Sequence, residues 1–152
     1  FESANQDMPL SLPERFEMGT VNTSGVAGLN AALSWIQDHH MDALYADERR
    51  KRERLLDLLK KYDFVRIIGD EASQQYVGIV SCVIDGISSD TAGQLFDERN
   101  ISVRTGLHCA PLAHKFLGTY PAGTIRFSVN HFTSESDYYE LQAALDDIEE
   151  NI

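Results

Sequence analysis

The sequence predicts an α+β fold: a small, mainly antiparallel sheet with helices packed on one face. Two observations predict it. Apolar residues recur at helical spacing in long segments, and at alternate positions in short β-rich runs between them. The resulting order is helix, helix, strand, strand, helix, strand, loop, strand, helix, which is not a regular βαβ alternation. The 152 residues suit one domain with its own core.

Residues 1–22 carry Pro9, Pro13 and Gly19 without lasting periodicity and read as an extended connector. Residues 23–152 form the expected domain. A helix fits from about Ser24 to His39, where Val26, Leu29, Leu33 and Ile36 share a face and Thr23 or Ser24 caps the start. A second fits Met41 to Tyr62, with apolar residues at both ends and the charge run Asp47–Arg54 between them. That run reads as a solvated face braced by the i,i+4 pairs Asp47–Lys51 and Glu48–Arg52, with a docking surface as the alternative. Strands follow at Phe64–Ile68, ending on Gly69–Asp70, and at Val77–Ile84. Ser88 to Arg99 reads as a helix with Leu95 and Phe96 inward, and Ile101–Arg104 as a short strand. Thr124–Val129 is another strand. A last helix runs from Ser134 to Glu149, with the stripe Tyr138, Leu141, Leu145, Ile148 and a capping-box-like Ser134–Asp137 pair.

Composition excludes some functions. The formal net charge is -11, from 24 acidic and 13 basic residues. Such a surface repels polyphosphate and anionic lipid, so neither nucleic acid nor membrane is an expected partner. No stretch approaches the apolar length of a membrane helix, and no signal-peptide pattern is seen at the start. Cys82 and Cys109 lie in different settings and suggest no disulfide framework, so a reducing cytoplasm is the expected compartment. The chain opens on Phe1 with a polar, proline-punctuated stretch, and is expected to be a piece of a longer protein.

Chemistry concentrates in Val103–Leu112. A strand ends at Arg104, Gly106 permits a sharp turn, and Pro111 favours the first turn of a short helix. Cys109 therefore falls on a loop before a helix start. It is either a nucleophilic thiol or a small buried hydrophobe. Cys82, flanked by Val80, Val83 and Ile84, reads as core. In Thr124–Val129, residues Ile125, Phe127 and Val129 share one face and Arg126 leaves the other. Arg104 likewise points away from Ile101 and Val103. The two guanidiniums are either a carboxylate- or phosphate-binding pair or plain surface residues. His108 adjoins Cys109 and could tune its thiolate or shuttle a proton. The spacing of His108, Cys109 and His114 gives a metal little support.

These segments resemble a known family. Arg104-Thr105-Gly106-Leu107-His108-Cys109-Ala110-Pro111 is similar to the cysteine loop of class V aminotransferase-like enzymes, in particular the cysteine desulfurases and selenocysteine lyases. Arg15-Phe16-Glu17-Met18-Gly19-Thr20-Val21-Asn22-Thr23 resembles the family's R-F-E-x-G-T-x-N-T run, with Val21 where proline is usual. Thr124-Ile125-Arg126-Phe127-Ser128 resembles its later arginine strand. The likeness covers essentially the whole chain. It implies the C-terminal small domain of a fold-type I, pyridoxal-phosphate-dependent cysteine desulfurase. It further implies that Cys109 is the nucleophile that keeps the sulfur of L-cysteine as a persulfide, that Arg126 holds the substrate carboxylate, and that Arg104 lies close to substrate. Gly19 and Thr20 are implied to reach the cofactor phosphate of a partner subunit, hence a homodimer, and a sulfur-acceptor protein is a further implied partner. The alternatives are another class V enzyme (an aminotransferase or selenocysteine lyase) and a non-catalytic stand-alone module.

The family's Schiff-base lysine sits in an S-x-H-K type run, which this sequence does not contain. The 152-residue chain alone is therefore expected not to hold the cofactor. Mixed with pyridoxal phosphate, it should develop no Schiff-base absorbance.

Overall fold

The computed structural model describes residues 7–17, 19–69 and 76–151. Met18, within the Arg15–Thr23 run, and Asp70, where the first β-rich run ends, lie outside the described residues. The chain divides into two compact units, Phe1–Met41 and Asp42–Ile152. No helix among the described residues is long and apolar enough to cross a membrane.

The first unit contains helix α1, Thr23–Asp38. Its cap is Asn22, one residue before the expected Thr23 or Ser24. The Asn22 carboxamide oxygen accepts from the Gly25 N–H at 2.9 Å. The expected apolar stripe is present in sequence but uncovered: α1 buries no residue, and Val26, Leu29 and Leu33 stand exposed.

The second unit holds the sheet. Helix α2 (Met41–Leu59) leads into β1 (Val65–Ile68) and β2 (Ile79–Ile84). Helix α3 (Ser89–Asp97) follows, then β3 (Arg104–Gly106), α4 (Pro111–Phe116), β4 (Thr124–Ser128) and α5 (Glu135–Asn151). The sheet order is β1-β2-β4-β3, and all three pairings are antiparallel. The segment expected as a strand at Ile101–Arg104 pairs only from Arg104 onward, so β3 begins at Arg104 rather than Ile101.

One face of the sheet meets the helices. Val80, Cys82, Ile84, Ile125 and Phe127 pack against Leu55, Leu58 and Leu59 of α2, Ala92 and Phe96 of α3, and Leu141, Leu145 and Ile148 of α5. Phe96 and Phe127 meet edge to face at 5.3 Å between ring centres. Ser88 caps α3 through its side chain, which accepts from the Thr91 N–H. At the start of α5 the Asp137 carboxylate accepts from the Ser134 N–H at 2.7 Å, the reciprocal half of a capping box.

The charge run of α2 is more than a solvated face. Asp47 pairs with Lys51 at 3.2 Å, as expected. Glu48 accepts from the Gly78 N–H at 2.7 Å, ahead of β2. Arg52 is buried: its Nε donates to the Ile79 carbonyl and its guanidinium lies 4.4 Å from the Tyr76 ring centre. Arg54 bonds Glu135 and lies over the Tyr138 ring. These charges fasten α2 to β2 and α5.

Leu145 is fully enclosed at the centre of this core. Leu145→Ala is expected to lower stability by about 2–5 kcal/mol, because the transfer loss and the cavity add. Urea denaturation of wild type and variant measures the difference.

Candidate functional site

The outer face of the sheet carries a different set of residues. Residues directly paired across antiparallel strands point to the same side. Arg126 pairs with Ser81 on β2 and with Arg104 on β3, so the two guanidiniums stand on one face beside a hydroxyl. Thr124 is on that face too, opposite Gly106. The alternation of β4 puts them there: with Ile125 and Phe127 buried inward, Thr124, Arg126 and Ser128 must project outward.

The loop 107–110 closes over this face. Gly106 leaves β3 with φ +90°, which only glycine adopts freely. Across the ladder, a Cβ on Gly123 would lie 2.3 Å from the Gly106 carbonyl carbon. The two backbones thus approach closely at the neck of the loop. His108 (φ 50°) and Cys109 (φ 61°) are both left-handed, and Pro111 then starts α4. The result is an exposed Cys109 thiol. Arg104 Nη2 lies 3.7 Å from Cys109 Sγ and donates toward the sulfur.

His108 bonds Thr124, Nε2 to Oγ1, at 2.9 Å. Its ring lies 5.7 Å from that of His114, which is itself buried and bonded through Nδ1 to Thr119 Oγ1 at 2.7 Å. Burial, then the charges of Arg126, His114 and Arg104, hold the His108 imidazole below its ordinary range. Among the described residues, the buried side-chain nitrogens without a hydrogen-bond partner are His108 Nδ1 and Arg126 Nε. An unpartnered buried donor on a guanidinium costs about 1–3 kcal/mol, and an oxyanion would satisfy it.

The fold therefore brings together three residues expected from the sequence, Cys109, Arg104 and Arg126. Cys82 is fully buried, and burial pushes its thiol up to about 12, so it is inert. Gly19 (φ +93°) and an exposed Thr20 lie in the first unit, with open space where a Gly19 Cβ would be. Thr124 escaped sequence reasoning as a functional residue. Its signal was available: a hydroxyl on the outward side of β4, two residues before Arg126. Among the described residues no group of three His, Cys, Asp or Glu side chains is arranged to hold a metal ion.

Pyridoxal phosphate would need a lysine as well as these groups. The chain's lysines are Lys51, Lys60, Lys61 and Lys115. Lys51 is engaged by Asp47 and by the Asn130 and His131 carbonyls, and Lys115 lies 5.0 Å from the Tyr120 ring centre. The residues on this face fit the carboxylate-binding part of such a site: two guanidiniums, one with an unpartnered Nε, beside a thiol.

The family model for aminotransferase class-V matches residues 3–141. A probable cysteine desulfurase of Mycobacterium leprae is 35% identical over 125 residues, which are 82% of this chain and 30% of that protein. The apo cysteine desulfurase of Thermococcus onnurineus superposes with a TM-score of 0.82 at 27% identity, covering 92% of this chain and 34% of that one. The enzyme C-DES, solved as a variant with glycine covalently linked to its PLP cofactor, gives a TM-score of 0.69 at 26% identity, covering 88% and 31%. The chain spans about a third of the length of the proteins it matches.

The depressed basicity of His108 has a measurable consequence. Arg126 on β4, Arg104 on β3 and His114 on α4 all face the ring, so the folded state resists protonating it. As pH falls below about 6.5, the unfolded chain takes up a proton that the folded chain refuses. Stability is thus expected to fall across the window from that value down to the lowered folded pKa, and to level off below it. Replacing His108 with Asn should flatten this part of a stability-versus-pH curve, with the titration of His108 followed by NMR.

Proposed function

This chain belongs to the class-V aminotransferase family, and we propose that it is the small domain of a pyridoxal-phosphate-dependent cysteine desulfurase. One observation carries the proposal: an exposed thiol at Cys109 lies beside Arg104, which is cross-strand partner to Arg126. A nucleophile and a carboxylate-binding group therefore share one face of one sheet.

In this reading Arg126 receives the α-carboxylate of L-cysteine, its unpartnered Nε and the rest of its fork giving parallel hydrogen bonds. Arg104 donates toward Cys109 Sγ and directs it at the substrate sulfur. Cys109 Sγ attacks the substrate sulfur. The S–S bond forms as the substrate C–S bond breaks, the bond pair stays with carbon, and that carbon takes a proton and leaves as alanine. Cys109 then carries the persulfide, which a thiol of an acceptor protein takes in turn. The cofactor, when bound, supplies the electron sink for the amino acid.

We further propose that residues 1–22 connect this domain to the rest of the protein. Gly19 and Thr20 would reach the cofactor phosphate of a second subunit in a homodimer. The cytoplasm is the proposed compartment, a reading supported by two unpaired cysteines, one of them exposed.

The test uses the full-length protein with L-cysteine. Wild type should release alanine and gain one sulfur atom on the Cys109 peptide, seen by mass spectrometry. Cys109→Ala should lower alanine release on the order of a hundredfold or more, since the covalent step is lost. Arg126→Lys should raise KM by about tenfold or more, because a point charge replaces a planar fork. Transamination, or lysis of selenocysteine, that survives Cys109→Ala would instead favour the aminotransferase or selenocysteine lyase reading.

A further inference from the structure

We infer that the hydrogen bond from His108 to Thr124 is the latch that seats the cysteine loop on β4, making His108 and Thr124 positioning residues for the Cys109 sulfur. The inference rests on the desulfurase reading and adds to it a pair outside the groups that touch substrate.

The argument begins with the backbone. His108 and Cys109 are consecutive non-glycine residues with φ of 50° and 61°. A left-handed backbone is unfavourable for a residue with a Cβ, so the loop needs compensating contacts to stay in this form. Among the described residues, the loop supplies few. The Ala110 N–H donates to the Leu107 carbonyl at 2.8 Å, closing the turn on itself. Arg104 reaches Cys109 Sγ at 3.7 Å, a long contact to a weak acceptor. Among the described residues, the His108–Thr124 bond, at 2.9 Å, is the one of normal length that ties a loop side chain to the sheet.

Thr124 is built for this contact. It projects to the outer, polar face of β4, yet it is only 1% exposed. Removing His108 would leave a buried hydroxyl without its side-chain partner. The ring is also braced from behind by His114, which Thr119 holds in place.

The tautomer follows from the orphaned nitrogen. His108 Nδ1 is buried and meets no acceptor. A buried N–H without a partner is the costlier orphan, so the proton belongs on Nε2, where it donates to Thr124 Oγ1. Nδ1 is then a bare lone pair. The latch is thus a neutral imidazole acting as a donor.

Its position explains its role. Thr124 and Arg126 are two residues apart on one strand and on one face. The sulfur is referenced to the sheet through Thr124, and the substrate carboxylate through Arg126. One rigid element therefore sets the separation between nucleophile and substrate, which is what an in-line attack requires.

The test uses full-length, cofactor-loaded protein and the variants Thr124→Val, Thr124→Ser and His108→Asn. Valine keeps the shape of threonine and removes only the hydroxyl. Asparagine tolerates the left-handed backbone but is too short to span the contact. Two rates are read: alanine release from L-cysteine, and alkylation of Cys109 by iodoacetamide without substrate. Losing one such hydrogen bond should slow both by about tenfold in Thr124→Val and His108→Asn, with KM for L-cysteine within about twofold. Thr124→Ser, which keeps the hydroxyl, should stay within about twofold of wild type on both. Should Thr124→Val fail to fold, His108→Asn gives the same reading from a half-exposed site. The latch is refuted by unchanged rates in His108→Asn, or by Thr124→Ser falling as far as Thr124→Val. A wild type that shows the alkylation pattern but makes no alanine would keep the latch and remove the desulfurase reading.

Discussion

The pairing of β3 with β4 sets two guanidiniums directly opposite each other, Arg104 against Arg126. Like charges in such positions repel and weaken a sheet. The register survives because the other face of β4 is more demanding. Ile125 is fully buried and Phe127 nearly so. A slip of one residue would turn them to solvent and drive Arg126 into the core. Hydrophobic burial on the inner face thus enforces a concentration of positive charge on the outer one. In a chain with a formal net charge of -11, this is a local inversion of the overall field. An anionic ligand would relieve the repulsion, so the stress written into the folded state and the carboxylate binding proposed for Arg126 would have one origin.

The cysteine loop inherits its geometry from the same ladder. Its four residues, 107–110, span from the end of β3 to the start of α4. The entry is pinched where Gly123 meets the backbone of Gly106, and the exit is set by Pro111 at the first turn of α4. A loop this short, anchored at both ends, gives the sulfur little freedom. Long catalytic loops trade precision for reach. Here the backbone accepts two left-handed residues to place one thiol, which is a common way for a functional site to store local strain.

Much of this was legible beforehand, and the reasons are physical. Helix α5 and strand β4 carry clean periods of 3.6 and 2, and each appears within two residues of its expected limits. The outward placement of Arg126 follows from that alternation alone. The errors occur where pattern is weak. Strand β3 has three residues and ends in glycine, so nothing in Ile101–Gly106 distinguishes where pairing begins. The burial of Arg52 depends on Tyr76 and the Ile79 carbonyl, which lie far along the chain. The α1 stripe reads as a core face, yet a stripe states only that a helix has a partner, not that the partner lies in the same chain. Thr124 looked like an ordinary outward residue because the cover over it is a loop, and loops have no period to read.

The two cysteines show how little separates an inert thiol from a reactive one. In the β2–β4 ladder, Cys82 sits opposite Ile125, while its neighbour Ser81 sits opposite Arg126. One step along β2 crosses from the dry interior to the charged face. Cys82 is sealed among apolar side chains, where forming a thiolate is strongly disfavoured. Cys109 is exposed and has a guanidinium N–H directed at its sulfur. A thiolate is the form that attacks, and a sulfur sealed on the dry face of the sheet is denied it. Selectivity between the two thiols therefore needs no recognition element of its own. It follows from where each lies: Cys82 on the dry face of β2, Cys109 on an exposed loop beside Arg104.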